Sequence, residues 1–156
     1  MNRKGFSLLE LNICCALLGI LFCVSYPFMG EMRQSAHFRH EIRELYGNLQ
    51  RAKLEAIKQN TFVVFKVFAG GYTIFVDNGA NGGIMGDWEK QNGEQMLVNH
   101  RYSNNIQMTD TTFVGNHGRF RGRPGIKAGT ITLMNVNGSR SGIVLNMIGR
   151  IRVEKI

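Results

Sequence analysis

Six arginines crowd the last quarter of this 156-residue chain: Arg119, Arg121, Arg123, Arg140, Arg150 and Arg152. With Lys127 and Lys155 they set eight basic residues against Glu154 alone from position 119 onward, in a chain of formal net charge +8. Guanidinium groups are planar forks of donors that match phosphate oxygens. Arg119, Arg121 and Arg123 alternate with Phe120 and Gly122, so an extended backbone places all three on one face. Arg150 and Arg152 alternate in the same way with Ile151 and Val153. Nothing in the set is suited to reading base edges, so a nucleic acid would be held by its backbone, in a salt-sensitive manner. The same pattern also fits charges that guard a strand edge against pairing with other chains.

A second residue that could do chemistry is Glu10. It is the single charge between Phe6 and Met29, 24 residues that are otherwise uncharged and largely apolar. A carboxylate at the centre of a membrane helix costs roughly 2.5–3.5 kcal/mol, less near an interface. Glu10 either reaches the headgroups or has a cationic partner. The remaining candidates are weaker. Cys14, Cys15 and Cys23 all lie in the apolar run, so neither a disulfide framework nor a cysteine zinc site is expected. His37 and His40 share a helical stretch and are not read as a zinc pair. In the glycine-rich stretch between Asp77 and Glu94, Asp77, Asn81 and Gly82 fit a calcium loop. Gly79 replaces one ligand, however, and Trp88 stands where the bidentate glutamate belongs, so a solvated loop built on Asp and Asn turns is expected. Asn137-Gly138-Ser139 reads as a turn. No nucleophile–base pair, metal cluster or phosphate-loop motif is legible, and the chain is not read as an enzyme. No cofactor is expected.

The elements that must carry these residues follow from hydrophobic patterning. As a helix the run from Phe6 to Met29 is about 36 Å long, enough for a bilayer core of about 30 Å. Arg3 and Lys4 before it place the N-terminus on the cytoplasmic side. From Glu31 to Asn60, Phe38, Ile42, Leu45, Leu49, Ala52 and Ala56 form one apolar stripe at helical spacing, expected to pack on a sheet rather than in a coiled coil. Runs at 61–68, 72–77, 96–102, 106–114, 130–134, 142–146 and 150–153 read as strands. Ala69-Gly70-Gly71 and Met147-Ile148-Gly149 read as hairpin turns. The expected class is α+β, a long N-terminal helix whose first half spans the membrane, packed on antiparallel sheet.

The segment Gly5-Phe6-Ser7-Leu8-Leu9-Glu10-Leu11 resembles the processing site of type IV pilins and type II secretion pseudopilins. The resemblance implies a pilin-like fold and cleavage after Gly5 by a prepilin peptidase, followed by N-methylation of Phe6. It also implies that Glu10 pairs with the N-terminal amine of a neighbouring pilin subunit. The domains would be a leader at 1–5, a transmembrane and assembly helix at 6–30, and a soluble head at 31–156 with an amphipathic helix (31–60) and a β-rich region (61–156). Gly149-Arg150-Ile151-Arg152-Val153 is similar to the ending of the GspH/FimT branch of minor pilins, as are the strand Gly129-Thr130-Ile131-Thr132-Leu133 and the loop before Glu94. The FimT side of that branch is associated with DNA uptake in natural transformation, and the GspH side is a minor pseudopilin of type II secretion. Carried over, Arg150 and Arg152 lead as contacts to double-stranded DNA, with Arg140, Arg119, Arg121 and Arg123 behind them on charge alone. The chain is expected in the inner membrane with its head in the periplasm, and then in a pilus or pseudopilus. The alternative is a subunit of a type II secretion or pilus-assembly machine that meets only proteins.

Overall fold

The computed structural model describes residues 7–113, 115, 117–121 and 128–156. Gly5, Phe6, Arg123 and Lys127 lie outside them. The chain divides into two compact units, one ending at His37 and one running from Phe38 to Ile156. A single helix, α1, covers Leu8–Gln59 and contributes to both. In the first unit the stretch Leu8–Ser25 has a mean hydropathy of 2.2 and none of it is buried within the chain. It is therefore long and apolar enough to cross a membrane.

In the second unit the expected stripe is the buried face of α1. Phe38, Ile42, Leu45, Leu49, Ala52 and Ala56 all join the hydrophobic core. Asn60 ends the helix in the left-handed conformation at φ 49°, a position Asn tolerates better than most residues. Among the described residues eight strands follow: β1 (Phe62–Phe68), β2 (Gly71–Asp77), β3 (Met96–Arg101), β4 (Ile106–Thr111), β5 (His117–Arg121), β6 (Gly129–Asn135), β7 (Arg140–Leu145) and β8 (Ile151–Lys155). They form two four-stranded sheets in the orders β3-β2-β1-β5 and β4-β6-β7-β8. Every pairing is antiparallel. Alternate residues of each sheet enter the core beneath the helix: Val63, Phe65, Val67, Tyr72, Ile74 and Val76 from one, Ile131, Leu133, Ile143, Leu145 and Ile151 from the other. The two-residue period of strands and the 3.6-residue period of the helix thus meet in one apolar interior.

β5 is a strand that the apolar patterning does not mark, although the alternation of Arg119 and Arg121 with Phe120 fits an extended backbone. Its register on β1 pairs Val63 with Phe120 and Phe62 with Arg121. Phe120 is 0% exposed and lies 5.6 Å from Phe65, which also meets Phe113 edge-on at 5.2 Å. Gly118 makes room for this cluster, because a Cβ there would sit 2.3 Å from the Phe65 ring.

Candidate functional site

The arginines separate between the two sheets. Arg119 and Arg121 belong to β5, an edge of the first sheet. Arg140 opens β7, Arg150 lies just before β8, and Arg152 is in β8, an edge of the second sheet.

The β5 arginines are engaged by aromatic rings. The Arg119 guanidinium lies 4.4 Å from the Phe62 ring centroid and 4.3 Å from that of Trp88, and it donates to the Gly86 carbonyl at 3.5 Å. Arg121 lies 5.2 Å from Phe62. Cations over aromatic faces gain from the ring quadrupole, and Arg adds planar stacking. The loop that supplies Trp88 is built on two buried carboxylates. Asp77, 0% exposed, accepts the backbone N–H of Gly86 at 2.6 Å and of Trp88 at 3.2 Å. Glu94, also buried, accepts from Gly79 at 3.1 Å and Gln91 at 2.8 Å. The stretch expected to be a solvated loop is therefore anchored from inside the protein, with acidic groups spent on backbone donors. Sequence reasoning missed this because nothing local shows that the carboxylates of Asp77 and Glu94 turn inward.

The β7–β8 hairpin presents its arginines differently. Gly149 donates to the Asn146 carbonyl at 2.8 Å, and Asn146 donates to that of Arg150 at 3.0 Å. Gly149 adopts φ 75°. This is a three-residue hairpin loop closed by a left-handed glycine, the geometry that requires Gly immediately before Arg150. Lys53 on α1 donates to the Gly149 carbonyl at 2.9 Å and ties the turn to the helix. In β8, Ile151 is buried while Arg152 and Glu154 are exposed. Directly opposed residues in an antiparallel pair share a face. Arg152 opposes Val144, Glu154 opposes Gly142, and Val144 opposes Thr130 on β6. By the alternation along β7, Arg140 falls on that same face, opposite Met134. Arg140, Arg150 and Arg152 are all exposed, and none of them is ion-paired with a carboxylate among the described residues. Met147 and Ile148, at the tip of the turn, are 69% and 72% exposed.

On the N-terminal unit, Glu10 is an exposed carboxylate in the first turn of α1, where the helix dipole favours negative charge. Leu8, Leu9 and Leu11 around it are exposed too.

A helix that is apolar in its first part and amphipathic in its second, the latter packed on two antiparallel sheets, defines a pilin-like subunit. The family model described as "Type II transport protein GspH" matches residues 41–149, most of the head. The chain belongs to that family of minor pilins and pseudopilins. Along its whole length it is similar to the "Pilin-like protein PilA1" of Thermus thermophilus, at 31% identity over 164 residues, covering 99% of this chain and 100% of the relative. Its fold is similar to the crystal structure of the type IV minor pilin FimU of Pseudomonas aeruginosa. The TM-score is 0.57 at 16% identity, covering 82% of this chain and 92% of that one. The α+β class and the type IV pilin relationship implied by the residues around Gly5 thus hold. Members of these families are structural subunits, and the apolar start of α1 fits an inner-membrane anchor.

Proposed function

We propose that this chain is a minor pilin that enters a pilus and binds double-stranded DNA through the exposed hairpin end of its second sheet. In this reading a prepilin peptidase cuts after Gly5 and Phe6 becomes the methylated N-terminus. Glu10 then neutralises the amine of the neighbouring subunit. The first helical stretch crosses the inner membrane before assembly, with the head in the periplasm. Arg150 and Arg152 are the leading DNA contacts, and Arg140 joins them on the same sheet face. Arg121 adds charge on the other sheet. Arg119 chiefly holds the Trp88 loop, and Arg123 is kept as a contact from charge alone.

The observation that carries the reading is the state of the hairpin arginines. Arg140, Arg150 and Arg152 are exposed and have no carboxylate partner among the described residues, and Lys53 of α1 ties down the glycine turn immediately before Arg150. A hydrogen-bonded turn that presents uncommitted guanidinium groups suits phosphate contacts.

A second reading is favoured by Met147 and Ile148, whose apolar side chains stand exposed beside Arg150. Exposed apolar groups ringed by charge also suit a protein partner, as in a pseudopilin of type II secretion. One experiment separates the two. The full chain in detergent is titrated with duplex DNA over a salt series, beside Arg150→Gln/Arg152→Gln. Three or four phosphate contacts give a log–log salt slope of about −3 to −4, and the double variant should lose most of the affinity. Absence of binding at low salt, or equal binding by the variant, removes the DNA reading and leaves the assembly role.

A further inference from the structure

Away from the arginines, three ionisable side chains converge where α1 meets β3. Glu41 and Glu44, three apart on one helix face, meet His100 from the edge strand of the first sheet. His100 Nε2 lies 2.8 Å from Glu41 Oε2, and Nδ1 lies 3.2 Å from Glu44 Oε1. One possible ligand atom from each residue falls within 4.8 Å of the other two. Glu41 is 6% exposed. The other Glu44 oxygen stands 3.8 Å from His40 Nδ1, four residues back on the helix. Among the described residues, no lysine or arginine pairs with either carboxylate.

The charge does not balance. Two carboxylates against the His100 imidazole leave a net negative charge even when that ring carries both protons, His40 beside Glu44 being 74% exposed in its side chain, and a neutral ring can donate to only one of them. Buried charge of one sign is costly unless a cation compensates it. A divalent ion with a neutral His100 makes the set neutral. Zinc takes one imidazole nitrogen and carboxylate oxygens at about 2.0–2.2 Å in a tetrahedron whose ligand atoms are about 3.3 Å apart, so the three ligand atoms, which already lie within 4.8 Å of one another, need only draw closer around one nitrogen of the ring. A further observation points to a missing ligand. Tyr102, two residues from His100, is buried at 7% exposure, yet its hydroxyl has no hydrogen-bond partner among the described residues. Its ring lies 6.1 Å from that of His100. Tyr72, by contrast, has its hydroxyl occupied by Asn48 at 2.8 Å.

We propose that Glu41, Glu44 and His100 form a zinc-class divalent metal site that clips edge strand β3 to α1. His40 or a water fills the fourth position, and a bound water gives the Tyr102 hydroxyl the partner it lacks. The site is structural and independent of the DNA reading.

The test uses the full chain in detergent with Cys14→Ser, Cys15→Ser and Cys23→Ser, so that thiolates do not compete for metal. Zn²⁺ is titrated calorimetrically, and Co²⁺ is titrated by its visible absorption. The expected result is one equivalent bound, with a higher melting temperature on Zn²⁺ addition. Glu44→Gln, at a half-exposed position that leaves the core intact, and His100→Gln should each weaken binding roughly tenfold or more. No saturable binding up to about 1 mM Zn²⁺, or unchanged binding in both variants, overturns the proposal. His100 would then be an imidazolium bridging two carboxylates.

Discussion

At the scale of single residues, the same side-chain type does different work in different surroundings. Arg119 packs on two rings, whereas Arg152 has neither ring nor carboxylate against it among the described residues. Each stacking contact is worth about 0.5–2 kcal/mol, so Arg119→Gln should destabilise the head by about 1–2 kcal/mol. Trp88 is the sole tryptophan of the chain, so its emission should shift to the red as the loop loosens. An unchanged spectrum would mean that the Arg119–Trp88 contact does not hold the loop. Tyr72 makes a separate prediction. Burial pushes its pKa up to about 12, partly offset by the Asn48 hydrogen bond and aided by Glu44 and Glu41; Tyr102 moves in the same direction. An unfolded tyrosine ionises near pH 10. The folded state therefore keeps protons that the unfolded chain releases, and stability is complete below about pH 10 and falls as pH rises toward 12. Melting temperatures at pH 8 and pH 11 should show this loss, and Tyr72→Phe/Tyr102→Phe should reduce it. A double variant with the full loss would place the alkaline transition elsewhere.

At the scale of elements, legibility tracked how much of the pattern was local. The α1 stripe was readable because six apolar residues repeat at helical spacing, and all six are buried. Both C-terminal hairpins have a local signature as well. Asn135 and Asn146 each accept the next residue's N–H on Oδ1, and Gly138 and Gly149 close the loops at φ 77° and 75°. β5 carries no such signal. His117-Gly118-Arg119-Phe120-Arg121 has one large apolar residue, and only pairing with β1 makes it a strand. The His100 cluster was illegible for a related reason. Glu44 does follow Glu41 by three, a spacing that brings helical side chains together, but the third ligand candidate, His100, lies 56 residues further on and arrives only through sheet register. That register depends on Gly71, where a Cβ would sit 2.2 Å from the His100 carbonyl oxygen. Gly71→Ala must push β3 away and should cost about 1–3 kcal/mol. Chemical denaturation measures the cost, and amide exchange over 96–101 should accelerate. Protection equal to that of the wild-type chain would show that the strand absorbs the methyl group by a small shift.

At the scale of the whole molecule, the sequence divides its chemistry between an N-terminal helix and a basic head, and the two parts were not equally legible. Gly5, Phe6 and Glu10 form one short motif, so the processing and assembly roles proposed for them rest on a single local resemblance. The arginines are spread over 34 positions, and nothing in their spacing shows that Arg140 shares a sheet face with Arg152 while Arg119 stacks on Trp88. This division makes the proposed roles separable. Glu10 has no part in the head's core, so Glu10→Gln should leave the head folded and the chain in the membrane, yet remove the charge that a neighbouring amine would pair with. An unpaired amine in apolar surroundings is costly enough to disfavour docking. The Glu10 variant should therefore be cleaved after Gly5 and accumulate in the membrane fraction, while falling several-fold in sheared filaments. Arg150→Gln/Arg152→Gln should do the reverse, entering filaments at the wild-type level while those filaments lose DNA binding. Immunoblots of membrane and filament fractions, read beside DNA capture by the filaments, measure both. Normal incorporation of the Glu10 variant would refute the charge-pairing role. Loss of the arginine variant from filaments would move those arginines from DNA binding to contacts between subunits.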